Sequence, residues 1–234
     1  MFGSIVLSLA ILFTNNLVAS DQNNLKPINY IPSLPGSYSE QPTDPDKNYV
    51  IFEDPKTTLK GYKDKLGKII IPAKFQHAWD FNKYGIANVC YETARNCYKI
   101  NTIGKNIAKT YEIDNGPDYE VSNMSRIVEN NKMGYIDNTG KIIISPQFDW
   151  VGIFNLSSPI TIASIGCKSV PMPKSEYSEI KGGKWGAIDK TGKIVVPIEY
   201  DRYDMTKSIT FYKDTQAFEL YEESPNQYKL IPIR

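Results

Sequence analysis

The chain has 234 residues, and its 27 Lys and Arg balance 26 Asp and Glu to a net charge of +1. So even a balance gives no support to phosphate-backbone binding, which rests on clustered cations, and nucleic acid is not expected as a partner. One histidine, His77, excludes a His-rich zinc site, and no phosphate loop or dinucleotide fingerprint is present, so neither a metal nor a cofactor is expected.

Residues 1–20 read as a secretory signal peptide. Ile5-Val6-Leu7-Ser8-Leu9-Ala10-Ile11-Leu12-Phe13 is an apolar core too short to span a membrane, and Val18-Ala19-Ser20 forms a cleavage site ahead of Asp21. No Lys or Arg precedes the apolar core, so the positive end is the terminal amine alone, and an uncleaved anchor or a buried N-terminal strand is the competing reading. Cleavage would leave no stable membrane span, and the expected address is periplasmic or extracellular. Residues 21–48, carrying Pro27, Pro32, Pro35, Pro42 and Pro45, read as an extended lead-in linker.

The remainder, residues 49–234, reads as an all-β repeat domain. Tyr, Phe, Ile and Val are abundant, and no long stretch has helical periodicity. The organising pattern is an apolar run ending in Asp or Asn, a short polar turn closed by Gly, and a second run of Ile and Val. It occurs at Asp64 to Gly67, Asn101 to Gly104, Asp137 to Gly140 and Asp189 to Gly192. This spacing predicts hairpins in which the Asx side chain caps turn N–H groups and Gly takes positive φ, so these carboxylates are turn-formers rather than catalytic groups.

A further strand-like run precedes each hairpin, starting at Tyr49, Ile86, Arg126 and Ile160, and a fifth set without the Asx–Gly turn starts at Ile209. About five three-stranded antiparallel meanders are therefore expected, arranged either radially like a propeller or as an open curved array. Cys90 and Cys97 lie at facing ends of two strand-like runs, which predicts a disulfide across the hairpin and fits an oxidising compartment; Cys167 is left over. Residues 165–183, between Ser164 and Lys184, form an enlarged first-to-second-strand loop in the fourth unit, the kind of insertion that marks a binding face or a tolerated surface loop. Phe75, Phe148 and Tyr200 recur at one position after their turn glycines and are expected in the core.

These residues resemble the WG repeat family of bacterial proteins, whose pattern Lys184-Trp185-Gly186-Ala187-Ile188-Asp189-Lys190-Thr191-Gly192-Lys193-Ile194-Val195-Val196-Pro197 follows nearly throughout. Gly134-Tyr135-Ile136-Asp137 follows it with Met133 in place of Trp, and Gly61 with Lys60 before it. The resemblance covers roughly Tyr49 to Tyr203 and implies a β-repeat scaffold used for interaction or association with the cell envelope, with no reaction attached. The expectation is an exported, monomeric, non-catalytic binding module for a protein or cell-envelope polymer.

Trp79, Trp150, Met172 and Tyr177 are the candidate partner-binding residues; for the two tryptophans, core filling between units competes with stacking on a partner. Two other functions compete. An immunity-type inhibitor of a periplasmic toxin or hydrolase would present one compact surface near Cys167 to Gly183. A polysaccharide- or peptidoglycan-acting hydrolase would need two carboxylates converging in a cleft.

Overall fold

The structure, a computed structural model, describes residues 25–28, 43–44, 46, 48–92, 95–113, 115–155, 158–174 and 178–233. The expected signal peptide, most of the lead-in and Tyr177 lie outside these residues. Among them every regular element is a β-strand, and no helix is long and apolar enough to cross a membrane.

Five antiparallel meanders follow one another along the chain. Their strands are Val50–Glu53, Lys60–Lys63 and Ile69–Phe75 in the first; Ile86–Cys90, Cys97–Asn101 and Asn106–Lys109 in the second; Met124–Glu129, Lys132–Asp137 and Ile142–Phe148 in the third. The fourth contains Ile160–Pro171, Ser178–Asp189 and Ile194–Tyr200, and the fifth Thr210–Lys213, Gln216–Ser224 and Gln227–Ile233. Each sheet packs against its neighbours in sequence, and no barrel closes among the described residues, so the chain is an open β repeat array.

The turns form as their chemistry requires. Asp64 Oδ1 accepts the N–H groups of Leu66 and Lys68, and Asn101, Asp137 and Asp189 accept the two equivalent groups in their own turns. Gly67, Gly104, Gly140 and Gly192 sit at φ of 85°, 74°, 84° and 87°, the left-handed region where a Cβ is unfavourable. Each also donates its N–H back to the carbonyl of the Asp or Asn. A four-residue polar signal is thereby a complete hairpin instruction.

What joins the sheets is a handover. The third strands of the first, third and fourth units reach a bend and continue as a short edge strand of the next sheet, His77–Ala78 pairing with Ile86–Cys90, Trp150–Val151 with Ile160–Pro171, and Arg202–Asp204 with Thr210–Lys213, while after the second unit Thr110 makes a single bridge to Ile127. The residues at the bends, Gln76, Tyr111, Asp149 and Asp201, each donate their N–H to the first strand of the following unit. Three of the five units consequently carry a fourth strand beyond the expected three.

Stacking buries the inner sheets on both faces. In the fourth unit Ile162, Ala187 and Trp185 enter the core shared with the fifth unit, whereas Ala163 and Ile188 enter the core shared with the third. This is why the run Ile160-Thr161-Ile162-Ala163-Ser164 is buried throughout rather than alternating. Phe75, Phe148 and Tyr200 are core residues at 0%, 2% and 7% exposure, as their recurrence predicts.

Part of the lead-in belongs to the array. Lys26–Pro27 is a strand paired antiparallel with Gln216–Ser224, Ile28 exchanges backbone hydrogen bonds with Leu220 and Ile209, and Thr43 and Asp44 bridge to Asn82 and Phe81. Proline is tolerated at an edge where its missing N–H faces away from the ladder. Each of these pairings supplies backbone partners at one extremity of the array, where repeats expose an otherwise open end.

Cys90 and Cys97 are directly opposed across their hairpin, with Sγ atoms 2.02 Å apart, and both side chains are buried. The small loop they close makes the bond worth about 2 kcal/mol by chain entropy. Alkylation of the unreduced, denatured protein should label Cys167 alone in an intact-mass measurement, and reduction should lower the urea midpoint accordingly. Labelling of Cys90 without reductant would contradict the pairing.

Candidate functional site

The units differ most at three places, and the three meet. In the fourth unit the expected enlarged loop is instead a projecting β-arm. Both of its strands run for 12 residues, and their pairing continues from Cys167 with Gly182 to Pro171 with Ser178. Between the second and third units the chain inserts a small hairpin, Glu112–Ile113 with Gly116–Pro117. In the second unit the disulfide clamps the short loop that carries Arg95. Residues from all three line one groove of about 630 Å³: Arg95, Glu112, Asn115, Ser169, Ser178 and Ile180, over Tyr111, Arg126 and Trp150. The volume falls in the range of ligand sites.

The groove floor is held rigidly. Arg126 donates through Nε and one terminal nitrogen to the two Asp118 carboxylate oxygens at 2.9 and 2.6 Å, while its backbone N–H reaches the same carboxylate at 2.8 Å. The two side chains are 5% and 1% exposed. Burial works against the Arg126 charge, but the Asp118 carboxylate more than offsets it and holds the guanidinium protonated. Above it lies Tyr111, whose ring centroid is 4.4 Å from the guanidinium carbon.

Trp150 is fixed by its neighbours as well. Its ring meets Trp185 edge-to-face at 5.7 Å, and Trp185 in turn packs on Tyr203 at 4.8 Å and donates Nε1–H to the Gly182 carbonyl at the arm's base. The arm is tied down from the other side by Asp149, which accepts the Gly166 N–H and the Lys132 ammonium, both at 2.7 Å. Lys132 first and Gly166 second hold the Asp149 carboxyl below the ordinary carboxylate range.

The four residues expected from sequence do not assemble into one site. Trp150 is half-buried and combines both competing readings, since it packs against the cores of the third, fourth and fifth units and also lines the groove. Met172 is exposed near the end of the arm, and Tyr177 lies outside the described residues. Trp79 is exposed beside His77 with ring centroids 6.2 Å apart, and it borders a separate cavity of about 230 Å³ with Asn88 and Lys99. There burial pushes the Lys99 ammonium below the usual lysine value against the pull of Glu120, 3.5 Å away.

Arg95, Tyr111, Asn115 and Arg126 were not singled out as site residues by sequence. Arg126 is placed by sequence only in a strand, and Arg95 only within the cysteine loop. The readable signal was the enlarged stretch in the fourth unit, which supplies Ser169, Ser178 and Ile180 to the groove.

The model of the WG containing repeat family matches residues 61–92, 133–157 and 185–208. The chain carries WG repeats. Each matched span begins at the second strand of one sheet and passes through the third; the span 61–92 continues into Ile86–Cys90 of the next sheet. A WG repeat here is thus offset from the sheet and ties two sheets together. The unmatched turn at Asn101 to Gly104 is the one whose second strand has Tyr98 where the other three have Gly61, Gly134 and Gly186. No curated protein and no solved structure matches the chain.

Proposed function

We propose that this WG-repeat protein is an exported, non-catalytic binding module that holds a partner of the cell envelope in the groove between its second, third and fourth units. The carrying observation is convergence: the β-arm, the inserted hairpin and the disulfide-clamped loop, each a departure from the repeat, border the same cavity. Repeat scaffolds place such insertions on their binding face. Glu112 is the carboxylate among the groove's described lining residues, and its Oε1 accepts the Cys97 N–H, which favours binding over paired-carboxylate hydrolysis. The buried disulfide accords with an oxidising compartment.

The test is capture from envelope fractions by the full mature chain and by a variant in which residues 168–181 are replaced by Asn-Gly. Cys167 and Gly182 are cross-strand partners, so a two-residue turn can close the shortened arm. The variant should remain folded, with thermal unfolding lowered by the lost packing of Ile180, and lose its envelope partner. Unchanged capture would remove the groove as the recognition site, and recovery of the native protein in the cytoplasmic fraction would remove the address.

A further inference from the structure

We infer that the groove takes a saccharide chain, laid against Tyr111 and Trp150 and held at its hydroxyls by the surrounding polar side chains. The inference rests on the groove being the recognition site and names its ligand class.

Three features of the lining select this chemistry. First, the floor offers aromatic surface that is fixed before any ligand arrives: Tyr111 lies on the Arg126 guanidinium, and Trp150 is braced by Trp185. The C–H groups on one face of a pyranose carry partial positive charge, and an aromatic face is negative, so the two attract without a formal charge on either. Pre-organisation removes part of the ordering cost of binding.

Second, the groove borders are polar. Arg95 and Asn115 supply donors, Glu112 and Asn115 acceptors, and Ser169 and Ser178 hydroxyls that serve as either. A sugar hydroxyl both donates and accepts, so it is satisfied at such borders. A protein hot spot prefers a desolvated apolar pocket, and of the described lining residues only Ile113 and Ile180 are aliphatic.

Third, the charges cancel. Arg126 is matched by Asp118 beneath it, and Arg95 faces a groove that also contains Glu112. Among the described lining residues a strongly anionic polymer would find no excess of cations to replace its counterions.

The experiment titrates the full disulfide-bonded chain with cellotetraose, chitotetraose and trigalacturonate, read by intrinsic tryptophan fluorescence and by calorimetry. At least one of the two neutral sugars should bind saturably, and the anionic trigalacturonate should bind less tightly than it. Asn115→Ala and Ser178→Ala, both at exposed positions, should each weaken it, and Trp150→Ala by about tenfold. Trp150→Phe, which keeps an aromatic ring, should retain most of the affinity, and Trp79→Ala all of it. Failure of both neutral sugars to bind overturns the inference, as does binding that is equally strong in Trp150→Ala and in the shortened-arm variant. If the shortened arm loses an envelope protein while no sugar binds, the groove remains the recognition site and the saccharide assignment alone falls. If capture is unchanged and no sugar binds, both fall.

Discussion

Arg126→Met should cost about 3–5 kcal/mol of folding stability, the range found when one member of a buried ion pair is removed. The reason lies in what remains. Asp118 has 1% side-chain exposure, and with the guanidinium gone its carboxylate keeps, among the described residues, the Arg126 backbone N–H, with the Lys99 ammonium its remaining nearby cation. Against a total stability of about 5–15 kcal/mol for a typical domain, this is a large fraction, and the urea midpoint should fall sharply. The double variant Arg126→Met with Asp118→Asn should recover most of the loss, because Asn keeps an acceptor for the backbone N–H and carries no charge. Lys99→Met should cost less. Its partner Glu120 is more distant, at 3.5 Å, and a lysine already pushed down by burial can shed its proton where an arginine cannot. If Arg126→Met and Lys99→Met destabilised equally, the Asp118 bidentate pair would not be the principal electrostatic joint between the third unit and the connector that precedes it.

That joint could not have been read from the chain. Asp118 lies in an irregular stretch between two units, eight residues before Arg126, and nothing periodic marks a carboxylate that folds beneath the next strand. By contrast the hairpins were legible because each turn is specified by two residues whose chemistry acts locally, an Asx cap and a left-handed Gly. The expected starts at Ile86 and Ile160 agree with the observed strands, and those at Tyr49 and Ile209 fall one residue early. The Cys90–Cys97 pair was legible for the same reason, since a hairpin register places them opposite one another.

The handover strands were not legible, because His77–Ala78 and Trp150–Val151 are too short to show alternation and acquire their conformation from the neighbouring sheet. The site fared likewise. The insertion in the fourth unit was visible as length, but length does not reveal that the insertion extends two paired strands, nor that it leans over Tyr111 and Arg126 from an earlier unit. Trp150 was readable as a tryptophan outside the repeat register, and its double role follows from a bend that no single unit encodes.

Gly134→Ala should cost about 3 kcal/mol, at the upper end of what overpacking a tight site does. A Cβ built there would lie 2.2 Å from the Ile144 carbonyl oxygen and 2.7 Å from Pro146 N; equivalent additions at Gly61 and Gly186 would meet Ile71 O at 2.6 Å and Val196 O at 2.4 Å. These are backbone atoms of a hydrogen-bonded third strand, so no side-chain rotation relieves the contact. The crowding has a definite origin in register. Between Met133 paired with Phe148 and Tyr135 paired with Ile144, the third strand bulges toward the glycine, and the same shift occurs at Lys60 to Tyr62 and Trp185 to Ala187.

The second unit supplies the control within the same chain. Its pairing shifts only once, near the turn, and Tyr98 occupies the position of the glycine. The WG glycine and the second bulge are therefore one feature, each requiring the other. Removing two of the three residues Ser145, Pro146 and Gln147 that span the bulge should restore tolerance of the Gly134→Ala substitution and recover part of the lost stability in chemical denaturation. If Gly134→Ala were neutral with the bulge present, or the deletion made the variant worse, the glycine of this repeat would owe its place to something other than the approach of the third strand.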